Sequence, residues 1–309
     1  MFNKEIITRV DNSDDFECSH IILYRFHEDR TDIASNLIRP WKEEVGNALK
    51  VSENLIEIIS EIFFESISEK YDYKEVLYDQ ALKSRKYDKF ITNISQLSHI
   101  DLKFTSQKEA LCFYLNVYQS MFLHHFLKYG SDSYESSSHK SYLKNLFDHF
   151  WQKSEDNFYY NIGGFDFTIE ELKHIILRGN KPPPHSFFRM TGDADERTKL
   201  INPLEDPRIL CLCLDKGQIP NFVVIFENPE TMDDKFDEFL KYFDEEVEID
   251  TTNEELTLPI VFKTYYSEFG GTDQKLLKFV WNWYENKEFK VKEIIKMVRR
   301  SRLMIKYEE

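Results

Sequence analysis

Cys112, Asn116, Ser120 and His124 follow one another at steps of four, in a segment otherwise made of Phe, Tyr, Leu, Val and Met. On a helix that spacing stacks a thiol, an amide, a hydroxyl and an imidazole along one slowly drifting face. A buried polar stripe has to be satisfied by something. Either it is the wall of a site, in which Asn116 and His124 orient a substrate or another side chain, or it is a hydrogen-bond network holding neighbouring loops. A second candidate is His174, with Glu170 four residues and Glu171 three residues before it. A carboxylate there can fix the ring's tautomer and leave the other nitrogen free for acid or base work, although helical histidines with acidic neighbours also occur as satisfied or exposed residues. Cys211 and Cys213 alternate on a predicted strand and so share a face, as small core hydrophobes or as reactive thiols. His124 and His125 are adjacent and point in different directions on a helix, and no Cys/His set has finger or protease spacing, so no metal site is expected. There is no phosphate loop, dinucleotide fingerprint or serine hydrolase elbow, and no cofactor is expected.

The elements that must hold these groups are marked by caps and glycines. Ser106 and Glu109 form a capping box that opens a helix running to about Tyr129, with Lys128 in its last turn and Gly130 just beyond. That helix is apolar nearly all round, and therefore central. A second box, Thr168 and Glu171, opens a shorter helix ending at Arg178 and Gly179. Between them, Phe158 to Ile162 and Phe165 to Phe167 flank Gly163-Gly164, which predicts a tight hairpin. Upstream, Leu49, Leu55, Ile58, Ile59, Ile62 and Phe63 recur at helical spacing, and a further helix covers Tyr87 to Leu97. Downstream, Arg208 to Leu214, Phe222 to Phe226 and Leu256 to Phe262 are predicted strands, while Met232 to Phe243 and Gln274 to Tyr284 are predicted helices. The pattern predicts a helix-rich α+β fold, a single compact domain with a small mostly antiparallel sheet and a central buried helix.

Composition bounds the partners. The chain has 309 residues, 41% hydrophobic, with 55 acidic against 40 basic side chains and a formal net charge of −15. Such a surface repels phosphate backbones, and no nucleic acid is expected to bind. The basic residues segregate only at the end, from Lys287 to Lys306, where Val291, Ile294, Ile295 and Val298 keep helical spacing. This segment either packs on its own domain or makes a peripheral contact with an acidic partner or membrane surface. Four cysteines without framework spacing, no leader pattern and no transmembrane segment predict a reduced, cytoplasmic protein.

Three blocks together resemble the domain of unknown function 547 family. They are Cys112 through His124; Ile162 through Asn180, with the prolines that follow; and Asp206-Pro207-Arg208. Their order is similar to that family's asparagine-bearing helix ending in histidine, its I-G-G hairpin before I-E-H-G-I-L-R-G-N, and its D-P-R strand. The resemblance covers about residues 40 to 285. It divides the chain into an N-terminal extension (1–34), the family-like domain (35–285) and a basic C-terminal helix or tail (286–309). Asn116, Tyr118, His124, His174, Arg178 and Asn180 occupy family positions, and the resemblance implies that Asn116, Tyr118, His124, Arg178 and Asn180 form a binding or structural polar cluster. Family members continue into C-G-x-x-S-C-P-P, whose cysteine is the natural partner of the I-E-H histidine in a thiol-hydrolase-like site. Here that block reads Asp215-Lys-Gly-Gln-Ile-Pro-Asn221, Lys173 replaces the glutamate of I-E-H, and Gln119 replaces the helix motif's second asparagine. The resemblance is thus to a eukaryotic-type member with a degenerate cysteine block. It implies a non-catalytic binding or scaffold module with a protein partner. The alternative is a cysteine/histidine thiol hydrolase, peptidase-like, whose nucleophile has moved to Cys213, Cys211 or Cys112, with His174 as base.

Overall fold

Asn47 starts the first described helix, α1 (Ala48–Ser66), by accepting from the backbone N–H of Leu49 at 2.9 Å and Lys50 at 3.4 Å. The computed structural model describes residues 46–70, 73–134, 158–184, 186–200, 206–212, 223–243, 247–283 and 304–307. The N-terminal extension, the Asp215–Asn221 block and most of the basic C-terminal segment lie outside the described residues.

After α1 come a short antiparallel pair, β1 (Ile67–Lys70) and β2 (Tyr73–Val76), and two helices, α2 (Tyr78–Leu82) and α3 (Arg85–Ile94). Ser84 caps α3, accepting from the Tyr87 N–H at 3.1 Å, and a 3-10 turn (Ser95–His99) follows. The central helix, α4, spans Gln107–Tyr134. Ser106 Oγ accepts from the Glu109 N–H as the box predicts, but the Glu109 carboxylate turns back to Thr105. The helix also runs past Gly130, which is tolerated inside a long helix at about 1 kcal/mol relative to alanine. Every residue from 111 to 127 of α4 is buried, and the apolar stripe of α1, including Leu55, Ile56, Ile59 and Phe63, packs along it.

The hairpin forms as expected, with β3 (Tyr159–Ile162) antiparallel to β4 (Phe165–Thr168). Its turn needs left-handed backbone at Gly163 (φ 58°) and Gly164 (φ 90°), and the Gly163 N–H donates to Leu97 O at 2.7 Å. The Thr168–Glu171 capping box is reciprocal, at 3.0 and 3.1 Å. It opens α5 (Ile169–Glu171), which widens at once into a π-helical turn (Leu172–Leu177). The wider winding shows in the i to i−5 bonds from the N–H groups of Arg178 and Asn180 to the carbonyls of Lys173 and Ile175.

Three strand expectations change. The described part of Arg208–Leu214 is a helix, α6 (Arg208–Leu212), because the Asp206 carboxylate accepts the Arg208 N–H and turns the chain into a helical start. Residues 223–226 join no sheet among the described residues; a side chain from α4 satisfies the backbone of Phe226 instead. The run from Leu256 is a strand only to Leu258, since Pro259 has no N–H for a ladder and leads into α8 (Ile260–Thr264). The remaining described helices are α7 (Met232–Phe243) and α9 (Asp273–Trp283). Pairing with β5 (Glu248–Asp250) on one side, β6 (Glu255–Leu258) takes β7 (Met304–Tyr307) in parallel on the other. Met304–Tyr307 is therefore strand and not helical tail.

The protein is helix-rich α+β, with three small sheets among the described residues where one was expected. Contacts gather the chain into two compact units. Unit 1 comprises Met1–Pro182, Phe188–Leu204 and Ile225–Thr231, and unit 2 comprises Pro183–Phe187, Glu205–Val224 and Met232–Glu309. Because each unit takes several separate stretches, no linker marks the division in the sequence. The first is built on α4; the second buries Phe236, Phe239, Leu256, Leu258, Phe262, Leu276 and Val280. Among the described residues no helix is long and apolar enough to cross a membrane.

Candidate functional site

The stripe on α4 is drawn into internal hydrogen bonds. Asn116 pairs edge-on with the backbone of Phe226, its Nδ2 donating to the carbonyl and its Oδ1 accepting the N–H, both at 2.9 Å. Its Nδ2 also lies 3.3 Å from Ser52 Oγ on α1, and Ser120 Oγ donates to Asn116 O at 2.8 Å. The amide therefore does for residue 226 what a neighbouring strand would do.

His124 sits between two tyrosines, with Tyr87 Oη 2.9 Å from Nε2 and Tyr160 Oη 2.7 Å from Nδ1. Phe90 and Phe158 meet the imidazole edge to face. Burial pushes the ring's pKa well below 6.5, so it is neutral, one hydroxyl donating to it and the other accepting from it. The Tyr160 hydroxyl is held far above its usual range by the same burial. Tyr118 is buried in the same helix.

Cys112 faces the core as well, and desolvation pushes its thiol up to about 12. Cys211 is buried on α6 rather than on a strand, and Cys213 lies outside the described residues.

His174 is held in the π-helical turn. Its Nε2–H faces Glu170 Oε2 at 2.9 Å, one turn back, as the i, i−4 spacing predicts. The other nitrogen is not free: Arg178, four residues ahead, donates from Nη1 into His174 Nδ1. A guanidinium has no acceptor, which fixes Nδ1 as the lone-pair nitrogen and Nε2 as the protonated one. Burial is the main force lowering the ring's pKa; Glu170 opposes it, while Lys173 and Arg178 reinforce it. Arg178 Nη1 also donates to Pro182 O at 3.1 Å. Asn180, left-handed at φ 57°, sends Nδ2 to Thr191 O at 3.1 Å, and its Oδ1 is buried with no hydrogen-bond partner among the described residues.

Beside this turn lies a cluster that helical periodicity does not point to. Arg197 forks onto Asp195 through Nε and Nη2, reaches Asp166 O at 2.9 Å and pairs with the capping-box Glu171 at 3.2 Å. The Arg197 fork holds the Asp195 carboxyl below the usual carboxylate range. The sequence signal is the D-x-R spacing, which Asp206 and Arg208 repeat with the same Nε and Nη2 fork. Arg208 continues to Asp233 at 2.6 Å and covers the Phe236 ring at 4.4 Å, fastening the start of α6 to α7.

The structure thus brings His174, Arg178 and Asn180 into one turn, and separately ties Asn116 and His124 into the packing around α4. No group of three or more His, Cys, Asp or Glu side chains among the described residues is arranged to hold a metal ion. Residues 102–243 match the model of a family described as "Protein of unknown function, DUF547". No curated protein and no solved structure matches the chain.

Proposed function

We propose that this chain, whose residues 102–243 match the model of the DUF547 family, is a non-catalytic binding or scaffold module with a protein partner in the cytoplasm. The observation that carries this reading is the occupancy of both His174 ring nitrogens, one by Glu170 and one by Arg178. A general base must offer its lone pair to the nucleophile's proton, and a guanidinium donating into Nδ1 has already taken it. Two further facts support it. The Cys112 thiol, pushed up to about 12, is thiol and not thiolate at neutral pH. The Asp215–Asn221 segment carries neither cysteine of the family block, so the reading includes degeneration of that block.

A thiol hydrolase with a relocated nucleophile at Cys213, Cys211 or Cys112 remains the competing reading, favoured by the Glu170–His174 pair in a π-helical turn, a winding common at functional sites. Alkylation of the folded protein by iodoacetamide at pH 6 separates the two. A scaffold gives no cysteine faster than a free thiol, and the rates are unchanged in His174→Ala. One cysteine that reacts much faster, and loses that advantage without His174, makes the chain an enzyme.

A further inference from the structure

The turn that holds His174 also fastens both ends of the segment that follows it. Arg178 binds Pro182 O, where the chain leaves the turn, and Asn180 binds Thr191 O, where it returns. Residues 186–190 between these anchors are exposed. Of the two anchors only Arg178 depends on a titratable partner, because its Nη1 is shared between Pro182 O and the lone pair of His174 Nδ1.

We infer that Glu170, His174 and Arg178 form a pH-sensitive clamp: a proton arriving at His174 Nδ1 displaces Arg178 and releases the backbone at Pro182. The chemistry is direct. Protonated Nδ1 has no lone pair, so the Arg178 N–H loses its acceptor and faces a second cation in a buried site. Glu170 keeps its bond to Nε2–H in both states and holds the ring in place while Nδ1 changes.

The charged groups around the ring set the direction. On its own turn these are Glu170, which favours the proton, and Lys173 and Arg178, which oppose it. α4 packs against this turn, and its buried stretch 111–127 carries no Asp, Glu, Lys or Arg, its titratable side chains being Cys112, Tyr114, Tyr118, His124 and His125. The turn Glu196–Leu200 brings Glu196, Arg197 and Lys199; Arg197 is engaged by Asp195 and Glu171, and Lys199 pairs with Glu196. The closed clamp therefore binds its proton less readily than a free imidazole, and acid below about pH 6.5 favours the open form.

The test is hydrogen exchange at the Arg178, Asn180 and Lys181 amides between pH 7.5 and 5, corrected for the intrinsic chemical rate. These N–H groups are bonded within the turn, to Lys173, Ile175 and Arg178 carbonyls. Protection should fall by on the order of tenfold per pH unit once the ring titrates, and more than that of the α1 amides, which report only the global loss of stability. In His174→Gln, which cannot take the second proton, the step should vanish. Independently of whether that variant folds, the ring's own titration is followed by NMR in the unaltered protein, where its midpoint should lie below 6.5 and coincide with the exchange step. The clamp is overturned if protection is flat with pH, if the step survives in His174→Gln, if it departs from the ring's titration, or if the turn amides lose no more protection than those of α1.

Discussion

At the scale of single residues, Asn116, Ser120 and His124 of α4 are hydrogen-bonded inside the protein. Asn116→Ala would remove the amide that pairs with the N–H and C=O of Phe226, and His124→Leu would remove the imidazole to which the Tyr87 and Tyr160 hydroxyls bond. Each should lower the unfolding free energy by about 1–3 kcal/mol, read from the urea midpoint. Selective loss of a turnover with unchanged stability would instead mark the stripe as a site wall. His124 also makes a pH prediction. Its folded pKa is depressed, so the unfolded chain takes up the proton first, and stability is full above about pH 6.5 and falls as pH drops below that value. The slope is at most about 1.4 kcal/mol per pH unit for each such histidine, and His174 adds in the same direction. Urea midpoints at pH 7.5 and 5.5 should therefore diverge, and diverge less in His124→Leu.

At the scale of elements, the hairpin turn separates two costs that adjacent glycines usually mix. A Cβ on Gly163 would stand 2.5 Å from Leu102 Cδ1, at a φ of 58°. On Gly164 it would meet nothing within 4 Å, at a φ of 90°. Gly164→Ala thus carries backbone strain alone, about 1–3 kcal/mol, whereas Gly163→Ala adds the displacement of Leu102 and threatens the Gly163–Leu97 bond. Thermal melts should place Gly163→Ala below Gly164→Ala; the reverse order would mean that Leu102 moves aside freely.

At the scale of the whole molecule, the family match begins after α1, at residue 102, yet α1 covers the apolar side of α4 with Leu55, Ile56, Ile59 and Phe63. A fragment of residues 102–243 would expose that side of α4 and would also lose the strands β6 and β7. It should show no cooperative melt by circular dichroism, because each fully buried aliphatic or aromatic side chain left exposed forfeits about 1.5–3 kcal/mol. A sharp transition in that fragment would show that the core of unit 1 needs no α1. The boundary at 285 meets a similar objection, for it would remove Met304–Tyr307 from its pairing with β6.

What the sequence determined by itself was local. The Thr168–Glu171 box, the Gly163-Gly164 turn and the length of α7 rest on contacts within a few residues, whose chemistry is legible in the order of side chains. The Glu170–His174 pair was legible for the same reason. Tertiary structure decided the rest. Arg178 has the same four-residue offset on the other side of His174, but its donation into Nδ1 belongs to a π-helical turn that periodicity does not announce. Residues 223–226 are apolar enough for a strand, yet Phe226 finds its backbone partner in one asparagine 110 positions away, and these residues join no ladder among the described residues. Apolar sequence specifies that a backbone is buried. Which donor and acceptor satisfy it there depends on what the fold brings alongside, and residue order does not encode that.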